Sequence, residues 1–237
     1  MKKIYLALLL LCVFFIEFAH GQQNNKEKSF LNWFDSEIGI SNTDLINGTE
    51  VVEKYRSLPK HHKFYNINDF VLGNVTYINQ NYYNVYLKYD IFNDFLIAKV
   101  AGKKKGGIIQ LISSKVSRFY INGTTFVKIP RINKKGREGF AELMIDNKYF
   151  SLYRQHKKLK TINQYTAASY HKFTKIKNQF ILKYKGENSF INHKKDVYNL
   201  FPELKNNLKA NKSLRSAWRK NEIQLVFAEI QNLLSKK

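Results

Sequence analysis

Apolar residues along this chain change their spacing twice. From Phe70 to about Lys185 they come in short runs rich in Val, Ile, Tyr, Phe and Thr, many with alternate positions apolar. That period of two is the signature of strands. The runs predict strands at Phe70–Ile78, Tyr82–Asp90, Phe95–Val100, Ile108–Ile112, Val116–Ile121, Thr124–Ile129, Gly139–Ile145, Tyr149–His156, Tyr170–Ile176 and Gln179–Tyr184. Asn122-Gly123 is the strongest hairpin signal, because two adjacent positive φ angles suit Asn and Gly. A two-residue loop there sets Phe119 opposite Phe126 and Ile121 opposite Thr124.

After Asn192 the spacing becomes three and four. Asn192 can cap a helix from His193 to Leu200, and Pro202 suits the first turn of another carrying Leu204 and Leu208. Ser213 is placed to cap a longer amphipathic helix, whose stripe runs from Leu214 through Trp218, Val226 and Phe227 to Leu234. Packing on the sheet is the simplest use of that stripe. Upstream, Asn42 to Leu58 reads as a helix closed by Pro59, while Phe30 to Ile38 shows no clear period. The expected fold is β-rich α+β: a curved antiparallel sheet of about ten strands in a meander, with a short N-terminal helix and a helical C-terminal segment.

The first residues read differently. Lys2 and Lys3 precede an apolar run from Ile4 to Ile16, and Ala19-His20-Gly21 offers a small-x-small cleavage site. That layout is a secretory signal peptide, and the run is too short for a membrane span. The expected organisation is a signal peptide at 1–21, a polar and helical segment at 22–66, a β domain at 67–191 and C-terminal helices at 192–237. No membrane span is expected after cleavage.

Charge sharpens the picture. The 237 residues carry a formal net charge of +22. Residues 22–100 hold 8 Lys/Arg against 9 Asp/Glu, whereas residues 101–237 hold 30 against 8. So basic a block attracts anions at long range, in a salt-dependent way. If the strands form a meander, the loops Ser113–Lys115, Pro130–Arg137 and Lys157–Ala168 share one end. That end gathers Lys115, Arg131, Lys134, Lys135, Arg137, Lys157, Lys158 and Lys160 as candidate anion-binding residues, with Lys103-Lys104-Lys105 at the other end. Anionic glycan, lipid head groups or an envelope protein fit such a rim as partners. Phe119, Tyr120, Tyr149, Phe150 and Tyr153 interleave with the basic residues as they do on nucleic-acid faces, but an exported address disfavours that partner.

Motif-borne chemistry is sparse. The single cysteine, Cys12, excludes an internal disulfide and a multi-thiolate zinc site. There is no phosphate loop, GxGxxG, GxSxG or HExxH. His61-His62 are neighbours that point apart on a strand, so neither metal nor cofactor is expected. Glu138 with Glu142, or Asp90 with Asp94, are the carboxylate pairs a hydrolase would use. A curled sheet holding an apolar ligand is a further alternative.

Several runs carry a resemblance. They are Asn42-Thr43-Asp44-Leu45-Ile46-Asn47-Gly48, His62-Lys63-Phe64-Tyr65, Leu72-Gly73-Asn74-Val75-Thr76-Tyr77, the stretch from Tyr83 to Asp90, Lys194-Lys195-Asp196-Val197-Tyr198 and Leu200-Phe201-Pro202-Glu203. Together they resemble a family of secreted Bacteroidetes proteins with no assigned activity. The resemblance implies an envelope location, periplasmic or at the outer-membrane surface, and no reaction, cofactor or catalytic residue. The reading that follows is an exported, non-enzymatic accessory or binding protein of the cell envelope.

Overall fold

The computed structural model describes residues 26–100, 107–132, 138–163 and 170–236. The expected signal peptide and Lys103-Lys104-Lys105 lie outside the described residues. The N-terminal helix, α1, covers 26–38. Thirteen strands follow: β1 (Gly48–Glu50), β2 (Val71–Tyr77), β3 (Gln80–Asp90), β4 (Phe95–Val100), β5 (Gly107–Leu111), β6 (Val116–Ile121), β7 (Thr124–Ile129), β8 (Gly139–Asp146), β9 (Phe150–Gln155), β10 (Lys158–Asn163), β11 (Tyr170–Lys175), β12 (Gln179–Tyr184) and β13 (Glu187–Ile191). The chain continues through α2 (Lys194–Leu200), α3 (Lys205–Ala210), α4 (Lys212–Arg219) and α5 (Ile223–Ser235).

Eleven strands form one antiparallel sheet in the order β1-β5-β4-β3-β2-β6-β7-β8-β9-β12-β13, and β10 pairs with β11 as a separate ribbon. Two meanders, β2–β5 and β6–β9, meet where β2 pairs with β6. Only residues 112–115 join β5 to β6, although three strands stand between them. In a flat sheet the two ends would be about 30 Å apart, since strands lie ~4.8 Å apart and rise ~3.4 Å per residue. Four residues span at most roughly 15–20 Å. The sheet therefore curls until these corners meet. Ile78 donates its backbone N–H to Lys115 O at 3.0 Å, and Tyr77 Oη accepts from Ile112 N at 3.4 Å. The curl does not close into a barrel.

Inside the curl the space is filled by rings. Phe119 stacks on Phe126 at 4.9 Å, with Tyr89 and Phe140 edge-on or tilted against that pair at 5.0–5.2 Å and 6.1 Å from each other. The Asn122-Gly123 turn has φ of 48° and 74° and gives the expected pairs Phe119↔Phe126 and Ile121↔Thr124. Each buried side chain of this size contributes about 1.5–3 kcal/mol before chain entropy is counted. A second apolar cluster joins Phe150, Leu152, Phe180 and Leu182 of the sheet to Val197, Phe201, Leu208, Val226, Phe227 and Ile230 of the helical segment.

Several elements depart from expectation. The stretch 42–58 is not a helix. It holds two short 3-10 turns and then β1, because Leu45 is wholly buried as a plug and Gly48 lies against the backbone of Gln110. A Cβ at position 48 would overlap Gln110 O, so β1 can pair with β5 only through glycine. The N-terminal helix lies upstream instead, at 26–38. The long helix from Ser213 is two helices, with Asn211 rather than Ser213 capping the first through a 3.0 Å bond to Ser213 N. Strand β10 falls where a loop is expected, and β13 lies beyond the last expected strand. β10 is a lysine-rich sequence whose partner lies outside the main sheet, and β13 is reached by a Lys185-Gly186 turn with φ of 50° and 83°.

Candidate functional site

The cations expected at one rim divide into two groups. Lys115, Arg131 and Lys157 are exposed, at the start of β6 and just past β7 and β9. The antiparallel order puts these three positions at the same end of their strands. Lys128 Nζ bonds Ser113 O at 2.8 Å, fixing the Lys115 turn beside β7. Lys158 and Lys160 instead face the body. Lys158 Nζ donates to His62 O at 2.5 Å and Phe64 O at 2.7 Å, and Lys160 lies 4.2 Å over the Tyr55 ring. These contacts dock the β10–β11 ribbon. Burial, then the neighbouring Lys175 charge, lower the Lys158 ammonium to about 8. Burial, then Lys158, Lys88 and Lys175, hold the His62 imidazole down at about 4. Lys134, Lys135 and Arg137 lie outside the described residues.

The carboxylates named above have structural partners. Asp90 is fully buried; Lys63 meets it at 3.1 Å, and Asn93 donates to it through backbone and side chain at 2.9 Å each. Asp94 accepts from Tyr89 Oη at 2.6 Å and from Phe140 N, and burial raises its carboxyl above the ordinary range. Glu138 pairs with Lys128 at 2.7 Å. Glu142 takes Arg154 through both oxygens, at 2.8 and 2.6 Å, and His156 Nε2 at 2.6 Å. Burial pulls the Glu142 carboxyl up, but the His156 and Arg154 bonds and charges outweigh it and leave it below the ordinary value. This cluster divides the ring-filled curl from the helix-covered end of the sheet. Phe119, Phe150 and Tyr153, read as part of a stacking face, are buried. Among the described residues no cluster of three His, Cys, Asp or Glu is set to hold a metal ion, and no helix is long and apolar enough to cross a membrane.

The feature that stands apart is a cleft of about 530 Å³ where the sheet meets the helices. Lys157 enters from the end of β9, and Lys177, Asn178 and Gln179 from the turn into β12. Asn192 enters from the end of β13, and Trp218, Arg219 and Asn221 from the corner between α4 and α5. Ile176, Phe180, Ile191 and Ile223 form its apolar part. The volume is in the ordinary range for ligand pockets. Its lining among the described residues has three cations and no carboxylate. One contact already orders it: Lys157 Nζ bonds Gln179 Oε1 at 2.9 Å.

The corner is built by a helix stop. Asn221 adopts φ of 62°; its N–H bonds Trp218 O, and Glu222 N–H reaches back to Ala217 O. That is a Schellman closure with Asn in the left-handed position. It ends α4 at Arg219 and leaves Trp218 and Arg219 lining the cleft. Of the cleft residues, sequence reasoning had singled out Lys157 as an anion ligand. Lys177 and Arg219 were missed because they are remote in sequence, and the usable signal was Asn221, a left-handed helix stop inside an apparently continuous stripe. The chain matches no protein-family model, no curated protein and no solved structure.

Proposed function

We propose that this protein is an exported, non-enzymatic binding protein of the bacterial cell envelope that holds anionic envelope polymers in the cleft between β12, β13 and the α4–α5 corner. The observation that carries the reading is the lining: Lys157, Lys177 and Arg219 converge on one concavity with no acidic side chain among the described residues that line it. Like charges gathered in a concave wall repel one another and focus the field outward, a cost that an anionic guest relieves. The strongly basic C-terminal part of the chain draws such a polymer in, and the cleft gives it a place to stop. An exported address follows from the leader-like start and from the family resemblance.

The test is elution from a dextran sulfate resin under a salt gradient. The protein should be retained at low salt and released as screening grows. The K177E/R219E double reversal should elute at markedly lower salt. K60E/K99E, with the same change in charge at exposed positions outside the cleft lining, should shift only slightly. Retention that hardly responds to salt, or equal shifts for both variants, overturns the assignment.

A further inference from the structure

Trp218 borders more than one hollow. Besides the cleft described above, it lines a second concavity of about 530 Å³ with His193, Lys194, Lys195 and Asp196, at the start of α2. Asp196 is the carboxylate of that lining, and its Oδ2 takes the backbone N–H groups of Asn192 and His193 at 2.8 Å each, which offsets part of its charge. Trp218 is therefore a partition, with Lys157, Lys177 and Arg219 beyond one side and Lys194 and Lys195 beyond the other.

The chemistry of the walls narrows the guest. Cations call for negative oxygens, and Arg219 offers the planar fork that suits a carboxylate. Asn178, Asn192 and Asn221 add primary amides, each with an acceptor oxygen as well as donors. A sulfate or phosphate group presents acceptors only, so a chain of such groups without hydroxyls leaves those amide oxygens without a donor. A ligand carrying both hydroxyl groups and carboxylates satisfies both sets. The single indole offers one apolar face for the C–H side of a sugar ring, whereas a single-stranded nucleic acid uses a succession of aromatic platforms.

Resting on the anion-binding reading above, we infer that the ligand is an acidic polysaccharide of uronic-acid type. It lies across Trp218, with one sugar against the indole and carboxylates toward the cations on both sides. Because both hollows share that ring, the site takes several consecutive residues rather than one terminal sugar.

The experiment uses a W33F background, which leaves Trp218 as the lone tryptophan reporter. Its fluorescence is titrated at low salt with four probes: oligogalacturonate of eight residues, digalacturonate, neutral malto-octaose and inorganic polyphosphate of matched charge. The octamer should move the Trp218 emission and bind at least tenfold tighter than the dimer, the neutral octamer or polyphosphate. In calorimetry, W218A should weaken the octamer at least tenfold, and K194E/K195E should weaken the octamer several-fold more than the dimer. The dimer-to-octamer ratio needs no substitution at Trp218, so it stands even if W218A folds poorly. Polyphosphate binding as tightly as the octamer, or equal affinity for dimer and octamer, overturns the uronic-acid strand while leaving anion binding intact. Failure of both anionic chains to bind at low salt overturns the anion-binding reading itself.

Discussion

His62 shows how single residues tune this protein. Its Nδ1 accepts the Phe64 N–H at 3.2 Å, and its surroundings hold the ring neutral down to about pH 4. The unfolded chain binds that proton at the ordinary value near 6.5, so between pH 6.5 and 4 the unfolded state carries more protons. Stability should therefore fall as pH drops through that window. His62→Asn keeps an acceptor for Phe64 N–H and has no proton to gain. Urea midpoints at several pH values should show a shallower decline for the variant, and an unchanged decline would refute the role given to His62. Glu142 acts in the same direction at lower pH. Its folded value is depressed, so its contribution is complete above the ordinary carboxylate range and is lost as pH falls through the folded value. Glu142→Gln leaves Arg154 and His156 without their carboxylate and should cost about 2 kcal/mol at neutral pH, measured by the same unfolding assay. The Phe119–Phe126 pair was legible in sequence because a two-residue turn fixes register. The partners of Glu142 were not: Arg154 is its cross-strand neighbour, and only the pairing of β8 with β9 brings them together.

At the scale of elements, the strands from β2 to β9 were legible because alternation and turn residues agree there. The stretch 42–58 was not, since Leu45, Val51, Val52 and Tyr55 give a partial helical stripe while their true partners are distant. Tyr77 Oη, thirty residues downstream, donates to Asn47 O at 2.5 Å and holds this segment against the sheet. The α4–α5 corner makes the same point in reverse: the apolar stripe continues through it, yet Asn221 stops the helix. A left-handed conformation costs about 1–2 kcal/mol for a residue with a Cβ, less for Asn, which bonds locally, and nothing comparable for Gly. Asn221→Gly should therefore match or exceed the parent in stability and keep the cleft. Asn221→Val should lose about 1–2 kcal/mol in urea unfolding and weaken retention on the anionic resin, because Trp218 and Arg219 depend on that corner. Equal retention for the valine variant would separate the corner from binding.

For the molecule as a whole, the asymmetry of charge is the property that unites stability with binding. A net charge of +22 on 237 residues sets the folded chain against itself, and the cleft concentrates that conflict by placing Lys157, Lys177 and Arg219 in one wall with no carboxylate among its described residues. In an ordinary protein, charge reversal at two surface residues is neutral or harmful. Here it should stabilise. At about 20 mM salt, where screening reaches only beyond ~20 Å, K177E/R219E should raise the unfolding free energy by about 0.5–1 kcal/mol. The gain should shrink toward zero near 0.5 M salt, where the screening length falls to a few ångströms. The unmodified protein should itself become more stable as salt rises over that interval, since screening relieves its self-repulsion. A more stable variant that binds dextran sulfate more weakly is the pattern expected when a fold carries destabilising charge for the sake of a ligand. If K177E/R219E is instead less stable at every salt concentration, Lys177 and Arg219 are held by structural partners, and the cleft is not poised for an anion.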